Sequence, residues 1–146
     1  MCLNQPGEMI QKCWTNLPSR FTHVQIDSFV VMPNHFHGFI LLGMAWQRDT
    51  WVREEEPAEN PLLGDVIGGF KSLTTHEYIL GVKNSDWIPF QTCLWQRNYY
   101  ERVIRTQREF DYIKQYILTN PERWQLDKEN ADRVGIDEFD TWLQDL

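Results

Sequence analysis

A chain of 146 residues with 42% hydrophobic and 14% aromatic content is long enough to bury one core and too short for two ordinary domains. That composition excludes an intrinsically disordered chain. The longest clean apolar stretch, Phe39 to Leu42, is far too short to span a bilayer, so no membrane partner is expected. Glu8 and Lys12 break up the opening turns, and no signal peptide is expected there. Cys2, Cys13 and Cys93 are odd in number and widely spaced, which reads as free thiols in a reducing cytoplasm.

The net charge of −7 argues against a nucleic-acid partner until its distribution is considered. Residues 122–146 hold −5 and residues 53–59 hold −3, which leaves +1 for the rest of the chain. Within that remainder Arg97, Arg102, Arg105, Arg108 and Lys114 fall in one segment. Such a cluster is either a local basic surface or an ordinary solvated helix face.

In chain order, Met9, Ile10, Cys13 and Trp14 have helical spacing and predict a short helix over 7–16 that stops before Leu17-Pro18. Thr22 to Val31 predicts a strand, Met32-Pro33-Asn34 a turn, and His35 to Leu42 a second strand of the same hairpin. Residues 43–61 show no periodicity and read as a long loop. Leu62 to Leu80 predicts a helix despite Gly68-Gly69, and 87–90 and 94–96 short extended pieces. Thr106 to Leu118 is the clearest helix: Phe110, Ile113 and Ile117 face inward, and Thr106 with Glu109 forms a capping box. Asn120-Pro121 ends it, and a further short helix is expected around 139–143. This order is α+β, one sheet with helices on a face.

On a strand, residues i and i+2 point to one side, so the imidazoles of His35 and His37 start about 7 Å apart and can converge on one ion. Neutral imidazole is a common ligand of divalent metals, though a structural pair of histidines has the same pattern. Tyr112, Tyr116 and Asn120 lie four apart along one helix stripe. A tyrosine with an ordinary pKa near 10 is a poor nucleophile and needs a polarised electrophile such as a metal-bound phosphate. Its phosphotyrosine keeps the phosphodiester energy available for rejoining. The bland alternative is a packing tyrosine and an asparagine that only ends the helix. Tyr99 and Tyr100 beside Arg97 and Arg102, with Arg105 further along, make an aromatic and basic patch of the kind that stacks bases and neutralises phosphates, though ordinary surface or core tyrosines have the same pattern.

Three segments, taken together and in order, resemble the REP-associated tyrosine transposases, relatives of the single-tyrosine insertion-sequence transposases named for a His–hydrophobe–His motif. They are Val30-Val31-Met32-Pro33-Asn34-His35-Phe36-His37-Gly38, then 94–105 (LWQRNYYERVIR), then Tyr116-Ile117-Leu118-Thr119-Asn120-Pro121. The likeness runs from about residue 7 to residue 132. It implies a catalytic domain over 1–121 with an acidic tail over 122–146, and a ferredoxin-like antiparallel sheet with helices packed on one face. It also implies Mg²⁺ or Mn²⁺ on His35, His37 and Asn120, Tyr116 rather than Tyr112 as nucleophile, and hairpin-ended single-stranded DNA as substrate. Family members can act as homodimers. They also carry an extended segment before the first helix, and residues 1–6 are too short to supply it, so either the true start lies upstream, or the copy is a decayed remnant, or a partner fills the gap in the sheet. Two readings compete with a DNA-nicking and joining enzyme: a truncated or domesticated hairpin-binding protein that does not cut, and a metal phosphodiesterase that uses water.

Overall fold

The computed structural model describes residues 2–47, 50–53, 62–139 and 141. It is α+β, as the element order implies. Helix α1, Gln5–Thr15, starts where the Asn4 side chain accepts a bond from Gly7 N at 2.9 Å. A one-turn helix α2, Leu17–Arg20, follows where the sequence suggested only a stop, because Pro18 sits in its first turn, where proline is tolerated. Strands β1, Val24–Val31, and β2, Phe36–Leu42, pair through a turn closed by Met32 N donating to His35 O at 2.9 Å. So short a connection requires an antiparallel pair.

The long loop expected over 43–61 is in part a second hairpin. Strand β3, Met44–Gln47, pairs antiparallel with β4, Thr50–Arg53, in the register Met44↔Arg53 to Gln47↔Thr50. Trp46, Trp51 and Val52 favour strands, but four-residue strands are too short to show a period. Residues 54–61 of that loop lie outside the described residues. Helix α3, Leu63–Asn84, is one turn longer than its pattern suggested. The pieces expected to be extended at 87–90 and 94–96 form no strand. Helix α4, Gln107–Thr119, has the expected capping box: Glu109 N donates to Thr106 Oγ1 and Thr106 N to Glu109 Oε2, both at 3.2 Å. A 3-10 helix, Asn120–Leu126, continues from it past Pro121. Of the helix expected at 139–143, residues 139 and 141 are helical and the others lie outside the described residues.

The chain divides into two compact units. One comprises residues 2–27 and 40–101. Its core holds Trp14, Leu17, Val24, Val66 and Phe70, with the Trp14 ring edge-on to Phe70 at 5.1 Å. The buried Thr74 hydroxyl is satisfied there, donating to Phe70 O and accepting from Trp95 Nε1, both at 2.8 Å. Gly81 leaves room for Trp87, whose ring would lie 2.2 Å from a Cβ at that position. We expect Gly81→Ala to destabilise by about 2 kcal/mol, since the ring must move away from Tyr78 and Gln5. Gly68 faces open space, and Gly68→Ala should stabilise by up to about 1 kcal/mol through helix propensity. Urea midpoints moving in opposite directions check both.

The other unit comprises residues 28–39 and 102–146. Phe39, Tyr116 and Ile117 form its buried cluster, flanked by Val30, Ile104, Phe110, Ile113 and Phe139. The inward face predicted for α4 is therefore the face it buries. Residues beyond 121, acidic in sequence, belong to this same unit, and Asp127 and Asp137 are each only 5% exposed.

Candidate functional site

His35 ends the turn and His37 is the second residue of β2, so both imidazoles leave one side of the hairpin while Phe36 stacks on Phe29 at 6.1 Å. The two imidazole rings are 4.8 Å apart. Helix α4 brings Tyr116 to them, its ring 5.4 Å from that of His37. Tyr112, one turn earlier, packs instead on Phe139 at 4.6 Å. The 3-10 helix adds Trp124, 6.0 Å from His35. Just after it, Asp127 places Oδ2 3.4 Å from His35 Nε2.

Asn120 caps the end of α4 and is buried, and its Oδ1 finds no hydrogen-bond partner among the described residues. His35 Nε2 is likewise buried without a hydrogen bond among them. Buried polar atoms are nearly always satisfied, and both of these belong to side chains that can ligate metals. Among the described residues no three His, Cys, Asp or Glu side chains stand grouped as a ready ion cage. A third donor of another type, such as the Asn120 amide, fits that restriction.

Burial pushes the His37 imidazole down to about 4, helped by repulsion from His35. Burial also lowers His35, and outweighs the opposing pull of Asp127. Both rings are thus neutral at pH 7, the form that ligates metals, and the His35–Asp127 contact is not an ion pair there.

Tyr116 is only 7% exposed. Phe139 packs on it at 5.6 Å, and the Arg123 guanidinium lies 5.6 Å from its ring while pairing with Asp137. These covering residues, with Asp127 and Trp124, are the part of the site that sequence reasoning missed. A pattern of acids beyond residue 121 reads as a solvated tail, and only tertiary contacts reveal the buried members.

The residues expected to meet DNA divide between the units. Arg97, Tyr99 and Tyr100 belong to the first and are exposed, Tyr100 at 82%. Lys71 joins that group unforeseen, donating to Gln96 O at 2.7 Å with its ammonium 5.4 Å from the Tyr99 ring. Arg102 and Arg105 belong to the second unit. Arg105 is exposed, whereas Arg102 is half-buried and held by Glu109 at 3.3 Å. The Arg105 backbone N–H, above all, keeps the Glu109 carboxyl below its usual range.

A protein of Haemophilus influenzae is 34% identical over 137 residues, which cover 88% of this chain and 71% of that one. The chain belongs to that protein's family. The relative is an uncharacterized protein, so it lends no activity to this site. No family model and no solved structure matches the chain. The three cysteines are free thiols, and no helix among the described residues is long and apolar enough to cross a membrane.

Proposed function

We propose that this chain is a transposase-like single-stranded DNA nicking and joining protein, of the REP-associated single-tyrosine kind, that works through a phosphotyrosine on Tyr116. The observation that carries this reading is the approach of Tyr116 to the histidine pair: its ring lies 5.4 Å from that of His37, which lies 4.8 Å from that of His35. His35, His37 and Asn120 are the residues that would hold a divalent cation, Mg²⁺ or Mn²⁺, which polarises a phosphate and offsets its developing charge. The Tyr116 phenol forms a bond to phosphorus as the bond to the 3′-oxygen breaks. The phenolic proton ends on that oxygen, leaving a 5′-phosphotyrosine and a free 3′-hydroxyl. A 3′-hydroxyl from another end reverses the step, with the proton returned to the phenol. Hairpin-ended DNA is the substrate class, and a homodimer is the assembly this kinship implies.

Arg97, Tyr99, Tyr100 and Arg105 then bind the strand, with Arg102 tied to Glu109 and contributing less. Alanine at Arg97 or Arg105 should lower the slope of log affinity against log salt by about 0.7 for each phosphate that is no longer neutralised. Fluorescence anisotropy with a labelled hairpin reads that slope.

Burial of Tyr116 beneath Phe139 and Arg123 favours a second reading, a hairpin-binding protein that does not cut. Incubation with labelled hairpin DNA and Mn²⁺ separates the two. A covalent adduct is the expected result, and tight binding with no cleavage at any metal concentration would refute the enzymatic reading.

A further inference from the structure

Between α3 and α4, residues 88–101 form no helix, no strand and no backbone–backbone hydrogen bond among the described residues. An irregular stretch of that length keeps one shape only where side chains hold it. Three side chains of α3 do so. Tyr78 Oη donates to Ile88 O at 2.9 Å, and Thr74 Oγ1 accepts from Trp95 Nε1 at 2.8 Å. Lys71 Nζ donates to Gln96 O at 2.7 Å and to Asn98 O at 3.4 Å. Positions 71, 74 and 78 are three and four apart, so the anchors lie on one face of the helix. Trp95 packed on Phe70 at 5.6 Å, and Phe90 on Tyr78 at 5.7 Å, seat the same stretch.

Tyr99 follows directly on the last of these anchors. The ammonium that grips Gln96 and Asn98 also lies over the Tyr99 ring, 5.4 Å from its centroid and within cation–π range. The phenol oxygen stands 3.9 Å from where a Cβ at Gly64 would lie, two turns earlier in α3. The ring is thereby laid along the helix, and the residue is still 43% exposed. An exposed aromatic ring that is already held in place suits base stacking, because its rotamer freedom is lost on folding and not on binding.

We propose that Lys71 is a positioning residue for single-stranded DNA: by gripping the Gln96 and Asn98 carbonyls and lying over the Tyr99 ring, it presets that ring as a platform on which an unpaired base stacks. This rests on the preceding reading of Arg97, Tyr99 and Tyr100 as strand-binding residues, and adds one that acts through Tyr99 without touching the strand. A lysine on a DNA-binding surface is ordinarily a phosphate contact. Here the ammonium is committed to two carbonyls and a ring, which is why positioning is the role assigned.

The test is a double-mutant cycle on the full chain, read by fluorescence anisotropy with a labelled DNA hairpin that carries an unpaired arm. Lys71→Met should bind this probe at least about fivefold more weakly. Its melting temperature should stay close to that of the unaltered chain, because both carbonyls are at the surface and water replaces the ammonium. Lys71→Gln serves in its place if the methionine variant melts early. In a Tyr99→Leu background, with no ring to position, Lys71→Met should cost less than about twofold. Equal losses in the two backgrounds overturn the proposal. With a salt slope lowered by about 0.7 they make Lys71 a phosphate contact, and with the slope unchanged a residue of general structural importance. Undiminished binding by Lys71→Met also overturns it and leaves the strand-binding reading standing. No binding of the hairpin by the unaltered chain refutes that reading, and the proposal with it.

Discussion

Replacing Tyr116 by phenylalanine is expected to abolish covalent capture of single-stranded DNA and to reduce cleavage roughly 10⁴-fold or more, the scale of loss when a covalent nucleophile is removed. The change deletes one oxygen and keeps the ring that packs on His37 and Phe139, and the melting temperature of the variant is compared alongside. Tyr112→Phe is the matched control. Its ring lies on the same stripe of α4 but packs on Phe139, and it should retain the adduct. An adduct that survives in Tyr116→Phe and vanishes in Tyr112→Phe would move the nucleophile one turn along the helix.

The second large effect is on stability against pH. In the unfolded chain His37 titrates near 6.5, and in the fold at about 4. The folded state thus binds fewer protons between those values, and stability falls as the solution is acidified through that window. Above pH 6.5 both states are neutral and nothing is lost. Below about 4 both are charged and the loss is complete, on the order of 3 kcal/mol. Urea midpoints measured in chelator from pH 7 to pH 4 should show this decline. His37→Gln should flatten the curve by that amount. An unchanged slope in the variant would mean that the buried ring is not responsible.

The parts of this structure written in local signals could be read from the sequence. Thr106 and Glu109 specify the start of α4 within one turn, and the spacing of Phe110, Ile113 and Ile117 gives its buried face. The alternation His35-Phe36-His37 likewise places two imidazoles on one side, because the period of an extended chain is fixed by backbone geometry. Hairpin β3–β4 was not legible, since strands of four residues carry too few side chains to declare a period. Nor were Asp127, Arg123 and Phe139. Each is placed by partners outside its own element, Asp127 by His35 and Arg123 by Tyr116 and Asp137. An acidic stretch looks solvated until a guanidinium or a backbone N–H is found to accompany its buried members. The Gly-Gly pair in α3 shows the reverse. It argues weakly against a helix, yet a Cβ at Gly69 would lie 2.8 Å from the Phe21 ring, so close packing favours glycine at that position.

The central claim is that Tyr116 becomes joined to a 5′-phosphate. Mass spectrometry of peptides from the full chain, after reaction with a hairpin-ended strand and Mn²⁺, tests it most directly. A nucleotide remnant on Tyr116, with a free 3′-hydroxyl on the released fragment, is the predicted result. Cleaved DNA with every tyrosine unmodified would show that water, not Tyr116, attacks the phosphate, and would contradict the account.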